Sequence, residues 1–276
     1  MENPLPVVGC AAPYEDLRDL RPWLLEKQRD LELQNPSQPE FLDGEWSSIV
    51  AEIRSLLDGY TGRLGIHGPF RGMTIDAADP LIASAVITRL RQGIEFGQAI
   101  GATQMVMHSP FLFFGKGHLP HSPEHGLARE IDAVRSLIDQ PLKEAQAAGI
   151  TLVVENIFDI NPRAVNTLVR EINHPCLRRS IDTGHAHLTH QRGGPTADAW
   201  VSATGAPGGT SPTTTANSTA TGTPAKATST GSPSGAPSPS SNKSPASSWR
   251  SSAVASSKPP SGSAPKATAP SRWSTF

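Results

Sequence analysis

Apolar positions along the first two hundred residues fall into an alternation of short runs and longer spaced stripes. Leu5 to Ala12 (LPVVGCAA) is a compact apolar run and predicts a first strand. Tyr14 to Lys27 follows with Leu17, Leu20, Trp23, Leu24 and Leu25 on or near one helical face. Asp30 to Gln34 (DLELQ) predicts a second strand, closed by the turn-like NPSQP. A helix is expected from Glu45 to Tyr60, on Ile49, Ile53, Leu56 and Leu57. A third strand begins at Arg63 and ends on His67, where Gly68-Pro69 breaks it. The next helix runs from Pro80 to Ile100, with Gly101 as its stop. A fourth strand, Thr103 to Met107, ends on His108. A helix from Ala128 to Ala148, a strand from Ile150 to Val154, a helix from Pro162 to Ile172 and a strand from Leu177 to Ile181 complete the pattern. Near-continuous apolar strands alternating with amphipathic helices describe an α/β protein with a parallel sheet covered by helices.

Parallel α/β sheets carry their chemistry at the C-terminal ends of the strands. That rule turns scattered residues into a set. His67, His108, Glu155 and Asp182 each stand directly after an apolar strand, and His185 lies one turn beyond Asp182. Singly, each has a plainer explanation: a structural histidine, a helix cap, a solvated carboxylate. Five metal-ligand types at equivalent positions point instead to one rim and a divalent-metal site. A mixed imidazole and carboxylate set suits Zn, Mn, Co or Fe(II) better than Ca or Mg, and Zn or Mn is the expectation. The long segment FLFFGKGHLPHSPEHG after Pro110 adds Lys116, His118, His121 and His125 as candidate rim groups, with Lys116 a candidate substrate contact.

The charge balance narrows the function classes. All 25 acidic residues lie at or before Asp198. The first 200 residues hold 18 basic and 25 acidic groups, a net of −7, whereas the remainder holds six basic groups and no acid. A mildly acidic folded part without a basic stripe disfavours a nucleic-acid partner. Cys10 and Cys176 have neither metal nor redox spacing. No apolar run approaches a membrane span and no leader pattern opens the chain, so a cytoplasmic location is expected.

The motifs G-I-H-G-P-F, M-V-M-H-S-P, L-V-V-E-N and S-I-D-T-G-H-A-H, in this order and spacing, resemble the xylose isomerase-like TIM-barrel superfamily. That superfamily includes sugar isomerases and epimerases and the endonuclease IV type of AP endonuclease. The resemblance covers roughly residues 5 to 200 and implies a (β/α)8 barrel of which about six units are present. By position, it makes Glu155, Asp182 and His185 metal ligands. It makes His67 and His108 either further metal ligands, as in the nuclease-like members, or substrate contacts, as in the isomerases. It makes Glu155 one of two acid/base carboxylates. The implied function is a metal-dependent isomerase or epimerase of a small sugar or hydroxy-carbonyl compound. The alternatives are an AP endonuclease-like phosphodiesterase and a non-catalytic remnant.

Beyond residue 200 the chain departs from that family. Residues 201–276 contain no Leu, Ile, Met, Tyr, Asp or Glu and are dominated by Ser, Thr, Pro, Ala and Gly. Such a segment cannot bury enough apolar surface to offset its ordering entropy and is expected to be disordered. The family's later strands, with an H-D-N motif and a late Glu, have no counterpart: no Glu follows Glu171 and no His follows His190. The product as written is therefore expected to be inactive, and open barrel edges are expected to promote self-association.

Out-of-frame translation accounts for these features together. A Thr codon read one base earlier encodes His, Asp, Asn or Tyr, and an Ala codon encodes Gly, Arg, Ser or Cys. Thr210 to Gly231 (TSPTTTANSTATGTPAKATSTG) then admits the reading HLPHDNGELDRHWHPGEGDIDW, which carries the missing family motifs. The gene sequence tests this. The codons of Thr213, Thr214 and Thr215 are expected to spell His-Asp-Asn when read one base earlier. Any other triplet reading rejects the frameshift.

Overall fold

The computed structural model describes residues 8–111, 123–203 and 215–217, with residues 123–125 and 215–217 described by their backbone alone. Seven strands form one parallel sheet in sequential order: β1 (Gly9–Ala12), β2 (Asp30–Leu33), β3 (Leu64–His67), β4 (Gln104–His108), β5 (Thr151–Glu155), β6 (Leu177–Asp182) and β7 (Thr215–Asn217). The connecting helices are α1 (Leu17–Lys27), α2 (Pro39–Leu42), α3 (Ser47–Leu56), α4 (Pro80–Ile100), α5 (Pro123–Ala148), α6 (Pro162–Ile172), α7 (Thr183–His190) and α8 (Ala197–Ala203).

Helix ends follow from local chemistry. Asp79 accepts hydrogen bonds from the backbone N–H groups of Leu81 (2.8 Å) and Ile82 (3.3 Å), and Pro80 opens α4 where no donor is needed. Gly101 ends α4 in the left-handed region at φ 81°. Asn161 and Pro162 start α6 in the same way, and Asn173 stops it at φ 49°. These two helices have the limits expected from the sequence. α3 is shorter than its apolar pattern at both ends, and α5 begins five residues earlier than expected. Among the described residues β1 runs Gly9–Ala12, and the expected start at Leu5 lies outside them.

The register separates the two faces of the sheet. Leu31, Leu33, Leu64, Ile66, Met105, Met107, Leu152, Val154 and Leu177 share one core with Leu24, Ile53, Leu90, Ile138 and Leu168 of the helices. Through the register partners, the opposite face receives Ala11, Glu32, Gly65, His67, Val106, His108, Val153, Glu155, Ser180 and Asp182. Strands that read as continuous apolar runs therefore alternate, with one side on the helices and the other carrying the polar groups. Gly68 holds the end of β3 against β4. Its N–H donates to the Val106 carbonyl at 2.8 Å, and a Cβ at this position would lie 2.6 Å from the same oxygen.

At the C-terminal end the described residues run past residue 200 in two places. Order continues through α8 to Ala203, because Trp200 is buried beside Ile181 and Ala186. In the segment expected to carry no structure, Thr215–Asn217 pairs in parallel with Ser180–Asp182, so β6 is an interior strand. Ladder hydrogen bonds use the backbone alone, and three residues without apolar bulk suffice to extend the sheet. The remainder of the expected disordered tail lies outside the described residues.

Among the described residues β1 pairs only with β2, and β7 only with β6. A parallel sheet with open edges offers unpaired backbone groups to a second chain. The chain is expected to elute as dimers or larger species in light-scattering chromatography. A monodisperse monomer that melts in one cooperative step contradicts this.

Candidate metal centre

The ends of β2 to β6 bring together Glu32, His67, His108, Glu155 and Asp182, with His185 added by the first turn of α7. They line a cavity of about 580 Å³ together with Gln34, Phe70, Ile157, Gly184, His187 and Leu188. Glu32, Glu155 and Asp182 are 5%, 3% and 3% exposed, so three carboxyl groups are buried in one small volume.

Asn156 sets the spacing of the β5 and β6 ends. Its side-chain amide donates to the Asp182 carbonyl at 3.0 Å, and its side-chain oxygen accepts from the Asp182 N–H at 2.9 Å. The Asn156 carbonyl lies 3.0 Å from His185 Nδ1. Asp182 in turn accepts the His185 N–H at 2.8 Å and caps α7. The helix-cap role and the site role of Asp182 therefore coexist: Oδ1 serves the cap and Oδ2 stands 3.4 Å from the imidazole.

Backbone carbonyls orient two of the three imidazoles. His67 Nδ1 lies 2.9 Å from the Gly68 carbonyl, as His185 Nδ1 does from that of Asn156 at 3.0 Å. Each contact requires the proton on Nδ1 and leaves Nε2 as the atom available to a metal, the arrangement by which proteins present histidine to one. His108 Nε2 stands 3.2 Å from His67 Nε2. Burial, with the two neighbouring imidazoles, pushes His108 down to about 3, so it is neutral in ordinary buffers. Phe70 closes this side, with its ring 4.2 Å from that of His108 and 5.0 Å from that of His67, centroid to centroid.

Glu155 shows the opposite shift. Burial first, then the charges of Glu32 and Asp182, raise it to about 9. A carboxyl held neutral by its neighbours is what a divalent ion reverses when it enters such a cluster. The donor atoms fit this: one from each of His67, His108 and Glu155 form one set, and one from each of Glu155, Asp182 and His185 form another, the atoms within each set lying within 4.8 Å of one another. Glu155 belongs to both.

All five expected rim residues thus meet in one place. The sixth candidate, Lys116, lies outside the described residues, as do His118 and His121, and His125 is described only by its helical backbone. Glu32 and Gln34, whose side chains hydrogen-bond at 2.7 Å, were not foreseen. The signal was present: a Glu between two leucines in DLELQ lands on the polar face once β2 is paired. Asp159, which accepts from Ser109 Oγ at 2.5 Å and from the Ile157 N–H at 2.8 Å, also escaped notice. Burial raises it to about 6 against the pull of those two bonds.

The family model of the xylose isomerase-like TIM barrel matches residues 31–208. The chain belongs to this family. Among solved structures it is similar to the TTHB071 protein from Thermus thermophilus, soaked with ZnCl2. Identity there is 23%, over 65% of this chain and 67% of that one, with a TM-score of 0.52. It is similar to a D-tagatose 3-epimerase-like protein at 18% identity, over 66% of each chain, with a TM-score of 0.50. A third is 3-keto-D-glucoside 4-epimerase from E. coli, at 13% identity over 66% of this chain and 70% of that one, TM-score 0.49. The chain spans about two thirds of the length of these structures. No curated protein matches it. Among the described residues, no helix is long and apolar enough to cross a membrane.

The Glu155 shift has a thermodynamic consequence. A carboxyl raised from about 4.5 in the unfolded chain to about 9 in the fold binds its proton more tightly when folded. Its contribution to stability is complete below the lower value and is lost as pH rises through the upper one. Metal-free protein is therefore expected to lose melting temperature between pH 5 and pH 9. Glu155→Gln, neutral throughout, is expected to flatten that slope, and an unchanged slope in the variant contradicts the assignment.

Proposed function

We propose that the chain carries the site of a divalent-metal-dependent isomerase or epimerase acting on a small sugar or hydroxy-carbonyl compound. The observation that carries this reading is the pair of three-residue donor sets sharing Glu155. Glu155, Asp182 and His185 would hold a Zn or Mn ion, and His67 and His108 would either complete the ligand set or bind substrate. Oriented Nε2 atoms and a neutral His108 suit such an ion. When bound, the ion would polarise the substrate carbonyl and stabilise the charge that develops on its oxygen.

The remaining work falls to this chain's residues. Glu155 is placed to take and return the proton on the carbon beside the carbonyl. Glu32, buried on the same face, supplies the second carboxyl of the pair, and its charge is the first after burial to bear on Glu155. Asn156 holds the Glu155 and Asp182 ends in register, and Phe70 keeps water from one side of the imidazoles.

The His67, His108 and Glu155 set favours a second reading, phosphodiester cleavage of the AP endonuclease kind. That chemistry needs a cationic surface for the phosphate. Arg71, beside Phe70, is the basic residue supporting it among the described rim residues. The net charge of −7 over the first 200 residues weighs against it. In either reading the chain as written is proposed to be inactive, because the family's later ligands have no counterpart after His190. An out-of-frame origin of residues 201–276 would supply the cause.

Metal content in folded samples tests the site. Asp182→Ala and Glu155→Ala are each expected to weaken Zn or Mn binding by more than about tenfold, the cost of losing merely a supporting group. His174→Ala, in the turn before β6 where its Nδ1 accepts the Cys176 N–H, is expected to bind as the parent does. Equal metal content in all three variants removes the proposal. With the frame restored, turnover of a ketose panel against cleavage of an abasic-site duplex separates the two chemistries. Silence on both by a folded, metal-loaded chain favours a non-catalytic remnant.

A further inference from the structure

A second cavity of about 260 Å³ adjoins the first. It is lined by Pro69, Phe70, Met73, Ile75, Ile157 and Phe158, with Thr74, His108 and Ser109 at its polar points. Phe70, His108 and Ile157 line both cavities. Both hydroxyl protons are already engaged. Thr74 Oγ1 donates to Asp76, and Ser109 Oγ donates to Asp159 and accepts the Phe111 N–H at 3.1 Å. His108 Nε2 faces the metal centre through His67. Among the described residues the chamber therefore offers a ligand six apolar walls and two hydroxyls whose protons are already committed. Its volume exceeds the roughly 150 Å³ of an apolar protein cavity that takes up benzene.

We infer that this chamber is the subsite for an apolar substituent of the substrate, so that the substrate class is a hydroxy-carbonyl compound bearing an alkyl or aryl group rather than a bare sugar. This rests on the metal-site reading for the position of the carbonyl head. With the head at the imidazole and carboxyl groups, the substituent passes the shared wall of Phe70 and His108 into the chamber. Burial of a ring there favours binding by area removed from water, and the sealed hydroxyls lose nothing to it.

A matched pair of probes tests the inference on the full chain. Titration calorimetry compares 2-hydroxyacetophenone with hydroxyacetone, which share a hydroxy-ketone head and differ in phenyl against methyl, with and without Mn2+. The phenyl compound is expected to bind about tenfold tighter or more. Met73→Trp, which fills the chamber, is expected to reduce that preference to about twofold or less while leaving hydroxyacetone binding as in the parent. Phe158→Asn, on a half-buried wall position, is the second variant and is expected to act in the same direction. Equal affinities in the parent, binding of neither compound, or a preference that survives both variants overturns the inference. The Mn2+ arm keeps the two readings apart. A chamber-dependent preference without any Mn2+ effect supports the subsite and counts against the metal site. A Mn2+ effect on both probes without a preference does the reverse.

Discussion

The site depends on the paired hydrogen bonds between the Asn156 side chain and the Asp182 backbone. Both partners are buried, and each bond closes a donor or acceptor that water cannot reach. Leaving either group unpaired costs about 1–3 kcal/mol. The pair fixes how far the β5 end stands from the β6 end, and with it the separation of Glu155 from Asp182. Through its carbonyl, Asn156 also chooses the tautomer of His185. One amide thus sets two carboxyl groups and one imidazole, and the parallel register of β2 to β5 delivers the rest.

Electrostatics and packing divide the space above the sheet. Three carboxyl groups and four imidazoles line the larger cavity, where Glu155 is driven toward neutrality by burial and by its like-charged neighbours. On the other side of Phe70 and His108 the walls turn apolar and the hydroxyls are tied up locally. A ligand that satisfies both halves has a polar head and an apolar arm. Of the helices α7 alone adds residues to the described lining of the larger cavity; the core of α1, α3, α4, α5 and α6 with Leu31, Ile66, Met105 and Leu152 holds the strand ends level.

Features set by local chemistry were legible in the sequence. α4 and α6 have the expected limits because Asp79-Pro80 and Asn161-Pro162 cap their starts and Gly101 and Asn173 stop them in the left-handed region. His67, His108, Glu155 and Asp182 could be chosen because each ends an apolar run, and parallel strands all end on one rim. α3 was overextended because apolar spacing continues past the point where a partner surface exists. Glu32 was passed over because a carboxylate between leucines reads as the solvent half of an alternation until the pairing shows which half faces the site.

Residue order by itself determined the alternation of strands and helices, the parallel sheet, the family, and five groups able to hold a metal. These follow from periodicity, caps and position, which act over a few residues. Tertiary structure alone decided which face of each strand carries the polar groups, and that Glu32 joins Glu155 and Asp182. It also decided that Asn156 braces the strand ends and that an apolar chamber opens behind His108. These rest on register and on contacts across 26 to 41 residues of chain, such as Asn156 with Asp182 and His67 with His108. No local pattern encodes them, because a one-residue slip in pairing would turn every one of those side chains to the opposite face.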